Sequence, residues 1–85
     1  MCSYVVEKAA LTGCAKAAGT WRPITDAVVA VDHPSHATLD HALIVDFVNA
    51  GRPVSERVAL ELSVESARDL ITAMQMALAA FDRGA

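Results

Sequence analysis

The sequence has few cysteines, few lysines and no long hydrophobic run, and each shortage excludes a class of protein. Its two cysteines, Cys2 and Cys14, form no Cys-x-x-Cys pair, which excludes a zinc ribbon and a thioredoxin-like redox motif. The seven basic residues are scattered along a chain of net charge −3, so no basic stripe can neutralise nucleic-acid phosphates. No apolar run approaches the roughly 20 residues of a membrane span. We therefore expect neither nucleic acid nor a membrane as a partner.

The N-terminal sequence and the length predict the compartment and the number of domains. The start MCSYVVEKAA lacks the basic start and the apolar core of a signal peptide, so we expect a cytoplasmic protein whose cysteines are thiols. Residues 1–85 form one domain, and so small a domain is only marginally stable alone. Yet 54% of its residues are hydrophobic, a surplus that predicts a partner, most simply a second copy of the chain.

Four segments have the composition of β-strands. Residues 3–13 have a mixed sequence that leans toward strand, and the stretch CAKAAG after them predicts a turn or an irregular edge. Residues 25–33 and 41–49 are rich in β-branched side chains. After an Asn-Ala-Gly-Arg-Pro turn, residues 56–62 alternate apolar and polar side chains, which is the period of a strand with one buried face.

The last part of the chain changes its hydrophobic period to that of a helix. An amphipathic pattern runs from about Val64 to Asp82, with Ser63 as the N-cap and Gly84 as the C-terminal stop. Its apolar side chains, called here the helix stripe, are Ala67, Leu70, Ile71, Met74, Ala77, Leu78 and Phe81. At 1.5 Å per residue the helix would be roughly 28 Å long, enough to lie across four strands.

This order of elements predicts an α+β fold. Four strands followed by one helix are typical of an antiparallel meander with a C-terminal helix packed on one face. The central strands, residues 25–33 and 41–49, are apolar on both faces. Because a single helix covers only one face, the other face needs a cover, and we predict a homodimer.

All three histidines lie within nine positions, in the segment VDHPSHATLDHALIVDF. If the flanking strands form a hairpin centred on Ala37, paired residue numbers sum to 74 and His33 lies opposite His41, with Cβ atoms about 5 Å apart. Two imidazoles at that spacing can share one metal ion. His36, in the loop between them, can fold back as a third ligand.

The histidine segment therefore predicts a site for a divalent transition metal. Three neutral imidazoles with one open position are typical of catalytic zinc and also suit iron, nickel or copper. Cys2 is a candidate for a soft fourth ligand. Asp32 and Asp40 adjoin histidines, but consecutive strand residues point to opposite faces. We expect these aspartates to orient the ligands or to act across an interface, and not to contact their sequence neighbours directly.

Other interpretations of the same residues stay open. A register slip of one residue would place His33 opposite Asp40 and make them an acid–base pair. The segment also has the composition of an ordinary hairpin loop, and its His-x2-His-x4-His spacing matches no established metal signature. A separate polar trio interrupts an apolar sheet face, and we expect structural ion pairs among its members, Asp46, Arg57 and Glu61.

Two functional hypotheses follow. The first is a small homodimeric metal-binding protein that uses His33, His36 and His41, and that acts as a metal-dependent lyase, isomerase, cyclase or hydrolase on a small organic substrate. In its metal-free form, a histidine beside Asp32 or Asp40 transfers protons without a cofactor. The second is a non-catalytic dimer whose apolar sheet face binds a hydrophobic small molecule or a partner protein.

The start MC, the lone Trp21 and the segments DHPSHATLDHALIVDFVN, RVALEL and SVESARDLITAM together resemble a family of short, functionally uncharacterised proteins, typically of actinobacteria. The resemblance extends over essentially the whole chain and is most specific at DHPSHA and ESAR. It implies a bacterial cytosolic origin, which suits the alanine-rich, lysine-poor composition, and a setting near secondary metabolism. It implies no activity, cofactor or catalytic residue.

Overall fold

The computed structural model describes residues 5–84, and only the backbone of Val5. The elements in chain order are β1 (Val5–Ala17), β2 (Thr20–Asp32), β3 (Ala42–Val48), a short 3-10 turn (Val54–Glu56), β4 (Val58–Leu62) and α1 (Val64–Asp82). The strands form one antiparallel sheet in the order β1-β2-β3-β4. The predicted α+β meander followed by one helix is therefore confirmed.

The first hairpin is longer than predicted. Of residues 14–19, predicted to be a turn or an irregular edge, only Ala18 and Gly19 form a turn. β1 continues through Ala17 and pairs with the start of β2, with a β-bulge between Ala10 and Gly13. Ala18 and Gly19 connect the strands with φ of 52° and 76°. Two successive positive φ angles are those of a type I′ turn, whose twist matches that of the strands. The composition of residues 14–17 does not predict a strand, because alanine has a low strand propensity. Pairing with β2 compensates for this low propensity.

The hairpin of β2 and β3 has the predicted register. Val31 lies opposite Leu43, and Val29 lies opposite Val45. Paired residue numbers therefore sum to 74, as expected for a hairpin centred on Ala37. The one-residue slip that would turn the histidines toward different neighbours does not occur.

The helix has the predicted bounds and caps but not the predicted position. The hydroxyl of Ser63 accepts a hydrogen bond from the Ser66 N–H at 3.0 Å, and Gly84 follows the last turn with φ 88°. The only buried residue of α1 is Ala67, and the larger side chains of the helix stripe are exposed, from 42% at Leu70 to 71% at Phe81. Ser63 alone connects β4 to α1, so the helix begins directly at the end of β4.

The described chain has an unusually open surface. Its buried hydrophobic residues are three alanines, Ala27, Ala42 and Ala67. The accessible surface is 6307 Å², whereas a compact monomer of this mass exposes about 4,900 Å². The radius of gyration is 14.3 Å, against about 12 Å for a compact domain of this length. About 1,400 Å² of surface thus exceeds what a compact monomer of this mass exposes.

The helix α1 is not a candidate for a membrane span, because no helix within residues 5–84 combines the necessary length and apolarity.

Candidate histidine site

His33 and His41 lie together at one end of the sheet, where the register predicted them. His33 follows β2 and His41 precedes β3, so the pairing of the two strands places them opposite each other. Their imidazole rings stack with centroids 4.7 Å apart and an interplanar angle of 26°. His33 is exposed and His41 is half-buried.

Asp40 contacts both imidazole rings. Its backbone carbonyl accepts a hydrogen bond from Nδ1 of His33 at 2.7 Å, and its carboxylate Oδ2 lies 3.1 Å from Nδ1 of His41. Because a carbonyl oxygen can only accept, neutral His33 carries its proton on Nδ1 and its lone pair on Nε2. The carboxylate favours the same tautomer in His41. The two Nε2 atoms thus lie on the ring sides turned away from Asp40.

The expectation that neither aspartate contacts its sequence neighbour was wrong. β3 begins at Ala42, so Asp40 and His41 lie before the strand, where side chains do not alternate between two faces. Asp32, the last residue of β2, accepts a hydrogen bond at Oδ1 from the backbone N–H of His33 at 2.7 Å. Asp40 therefore orients imidazole rings, whereas Asp32 holds the chain as it leaves the strand.

The four predicted metal ligands are only partly brought together. His33 and His41 stack, but within residues 5–84 no three histidine, cysteine, aspartate or glutamate side chains are grouped so that they can hold a metal ion. His36 lines the same open groove of about 620 Å³ as His33, together with Asp46, Arg57 and Glu61 among others. Cys2 lies outside the described residues.

Residues 33–41, which connect β2 to β3 and are called here the histidine loop, are held by a carboxylate on β4. Glu61 accepts hydrogen bonds at Oε2 from the N–H and the hydroxyl of Ser35, at 2.7 and 2.9 Å. At Oε1 it accepts from the N–H groups of His36 and Ala37, at 3.0 and 2.8 Å. Successive backbone N–H groups around one anion form a nest. The nest fixes the backbone from which the His36 side chain projects.

The role of Glu61 differs from the one that its place in the polar trio indicated. Asp46 and Arg57 form the expected ion pair, with Oδ1 of Asp46 3.2 Å from Nε of Arg57. Glu61 instead binds the loop, about 25 residues away in sequence. The only local signal was the serine after Pro34, a residue type that commonly forms such turns. That signal does not identify which carboxylate the turn encloses.

The loop N–H groups lower the pKa of Glu61. The backbone N–H of Ala37, and after it that of Ser35, contribute most to a decrease from 4.5 to about 2. Hydrogen bonds to the ionised form are the physical cause, because a protonated carboxyl would lose part of this acceptor capacity. A carboxylate whose pKa is lower in the folded state contributes stability above its unfolded value near 4.5, and this contribution is lost as the pH falls toward 2.

Glu61→Gln is expected to remove this pH dependence and to loosen the loop. The amide keeps one acceptor oxygen, but its NH₂ group must face donors that the second carboxylate oxygen now satisfies. Urea unfolding between pH 3 and pH 7 measures the effect: from pH 5 downward, the wild type should lose more free energy of unfolding than the variant. Glu7→Gln, on exposed β1, is the control and should follow the wild type. Parallel profiles of wild type and Glu61→Gln would contradict this role.

The comparison with known protein families finds a match over the whole chain. A family model covers residues 1–85 and is described as a family of unknown function, DUF6295. The chain belongs to DUF6295. This agrees with the resemblance to an uncharacterised family, and no curated protein and no solved structure matches this DUF6295 chain. The function of a DUF6295 protein must therefore be argued from its own residues.

Proposed function

We propose that this DUF6295 protein is a homodimer that binds a divalent transition metal on His33 and His41. The observation that carries the proposal is the double contact of Asp40 with the two Nδ1 atoms, at 2.7 and 3.1 Å. Metal-binding histidines typically donate the N–H of the ring nitrogen that does not bind the metal to a backbone carbonyl or a carboxylate. Asp40 supplies one acceptor of each kind and thereby directs both Nε2 lone pairs away from itself.

The ligand set needs at least one further member. Catalytic zinc sites use three protein ligands, and His33 and His41 supply two. His36, which lines the same groove as His33, and Cys2 are the candidates for the third. Imidazole ligands suit zinc, iron, nickel or copper, and a thiolate from Cys2 would shift the preference toward zinc or copper.

The groove beside the histidines supports action on a small organic molecule. Its volume of about 620 Å³ is within the range of ligand pockets. A metal at its edge would polarise a carbonyl group or lower the pKa of a bound water, which is the chemistry of a lyase, isomerase, cyclase or hydrolase. Bacterial secondary metabolism is the setting that the resemblance suggests for such a reaction.

The open surface of the chain supports the homodimer. A stable interface of standard size removes about 800 Å² of accessible surface from each partner. The chain exposes about 1,400 Å² more than a compact monomer, and the helix stripe is a contiguous apolar part of it, with Met74 56% exposed and Leu78 64% exposed. We propose that the helix stripe of each copy packs against the other copy.

A metal-free alternative is favoured by one contact. Oδ2 of Asp40 lies 3.1 Å from Nδ1 of His41, a distance at which a carboxylate can orient a histidine for proton transfer. Such a pair would catalyse an elimination or a cyclisation without a cofactor. It is the catalytic function that remains if the protein binds no metal.

Calorimetric titration of untagged, metal-stripped protein with Zn²⁺ tests the proposal. The wild type should bind one ion per chain, and Asp40→Asn should bind it roughly 10- to 100-fold more weakly because the His41 imidazole loses the carboxylate charge that makes it a stronger metal ligand. Asp26→Asn is the control: Oδ1 of Asp26 accepts a hydrogen bond from the Thr25 hydroxyl, and an amide oxygen can do the same. No binding by the wild type would reject the metal form. Equal losses in both variants would contradict the role of Asp40.

A further inference from the structure

We propose that a second groove, at the opposite end of the sheet from the histidines, binds a small aromatic carboxylate. The groove has a volume of about 490 Å³ and lies where β2 begins, β3 ends and β4 begins. His33 follows Arg22 by about 36 Å along β2 at 3.3 Å per residue, so the two grooves are separate. The residues that carry the argument are Trp21, Arg22, Ile24, Phe47, Arg52 and Val58.

The groove has an excess of positive charge. Oε1 of Glu56 accepts hydrogen bonds from Nη1 of Arg22 at 3.3 Å and from Nε of Arg52 at 3.2 Å, and its Oε2 accepts from Nη2 of Arg52 at 3.1 Å. Two guanidinium groups therefore share one carboxylate and leave one net positive charge. Nζ of Lys16 lies 6.0 Å from the centre of the Trp21 ring, but Lys16 does not line the groove. In a chain of net charge −3, this local charge favours an anionic ligand.

Much of the rest of the groove is apolar. Ile24, Phe47 and Val58 contribute aliphatic and aromatic surface, and Trp21 is 65% exposed. An exposed indole next to such a surface is suited to stack on a planar ligand. One net positive charge beside an apolar surface matches a single carboxylate on an aromatic body, and a multiply charged phosphate would leave its additional charges without partners.

The turn after β3, which carries Arg52, is held in place by hydrogen bonds within the protein. The side-chain amide of Asn49 donates to the carbonyl of Pro23 at 3.0 Å, and its Oδ1 accepts from the N–H of Gly51 at 2.8 Å. These bonds tie the turn after β3 to the start of β2. Because the arginines are positioned by Glu56 and the turn before any ligand arrives, binding costs little ordering.

Nuclear magnetic resonance of the wild type with 1-naphthylacetate tests this site without any substitution. Trp21 is the only tryptophan, so its indole N–H gives a single signal. We expect a saturable shift of that signal, and at least a tenfold weaker affinity for the neutral isostere 1-naphthylacetamide, because only the acid satisfies the arginine donors. The result should be the same with a chelator present, since the site does not depend on the proposed metal.

Variants then test the arginines. Arg52→Gln should bind 1-naphthylacetate at least tenfold more weakly and leave the affinity for the amide unchanged, and Arg22→Gln should behave in the same way. Arg83→Gln, at the exposed end of the helix, removes the same charge and should bind the acid like the wild type. Three results would overturn the proposal: no shift of the Trp21 signal at millimolar probe, equal affinities for acid and amide, or shifts confined to the helix stripe.

Discussion

Met74→Glu is expected to convert the proposed dimer into a monomer that has lost much of its stability. Met74 is 56% exposed in the single chain, and a substitution at so exposed a site normally changes the free energy of unfolding by about 0.5 kcal/mol or less. If the helix stripe packs against a second copy, the new carboxylate becomes buried without a partner at the interface. We then expect a loss of at least about 3 kcal/mol.

Gln75→Glu is the matched control for this prediction. It adds the same charge one position further along α1, outside the helix stripe, and should leave the dimer intact. Light scattering should give about twice 9.0 kDa for the wild type and the control, and the wild-type unfolding midpoint should rise with protein concentration. A wild-type mass of 9.0 kDa, or identical behaviour of the two variants, would show that the helix stripe does not form the interface.

His33→Ala and His41→Ala are each expected to weaken Zn²⁺ binding by more than about 100-fold, beyond the loss expected for the orienting Asp40. Each variant removes one of the two stacked imidazoles on which the proposed site is built. His36→Ala distinguishes the two candidates for the third ligand: a loss below about tenfold leaves that role to Cys2, and we expect this result because the His36 side chain is not grouped with the other two histidines.

Competition with a chromophoric chelator measures the three affinities on untagged protein. Far-ultraviolet circular dichroism and the mass in solution serve as controls that each variant still folds and assembles. Retention of wild-type affinity by His33→Ala or His41→Ala would reject the proposed ligands. An equal loss in His36→Ala would make His36 the third ligand and contradict this expectation.

The parts of the fold that were predictable depend on local sequence. The period of the apolar residues and the capping serine defined α1, and the β-branched segments together with a loop centred on Ala37 gave the register that pairs His33 with His41. The unpredicted parts depend on contacts or connections that periodicity does not encode. The amphipathic period of α1 does not encode how far the helix packs on the sheet, and the hairpin of β1 depends on pairing with β2.

The histidine site, like the fold, was predictable only where it depends on strand register. Strand register brought two rings together, whereas the contact of Asp40 with His41 depended on β3 beginning one residue after His41. The hold of Glu61 on the loop joins residues that are distant in sequence, and several carboxylates on the same sheet were equivalent candidates by pattern. Strand pattern therefore located the site but not the acidic residues that shape it.

Native mass spectrometry of untagged protein, after addition of Zn²⁺ and removal of the excess, tests the central proposal most directly. We predict a species of about twice 9.0 kDa that carries one metal ion per chain, and a metal-free dimer for His41→Ala. A wild-type dimer that retains no metal, or a monomer of 9.0 kDa, would contradict the account of a dimeric metal site built on His33 and His41.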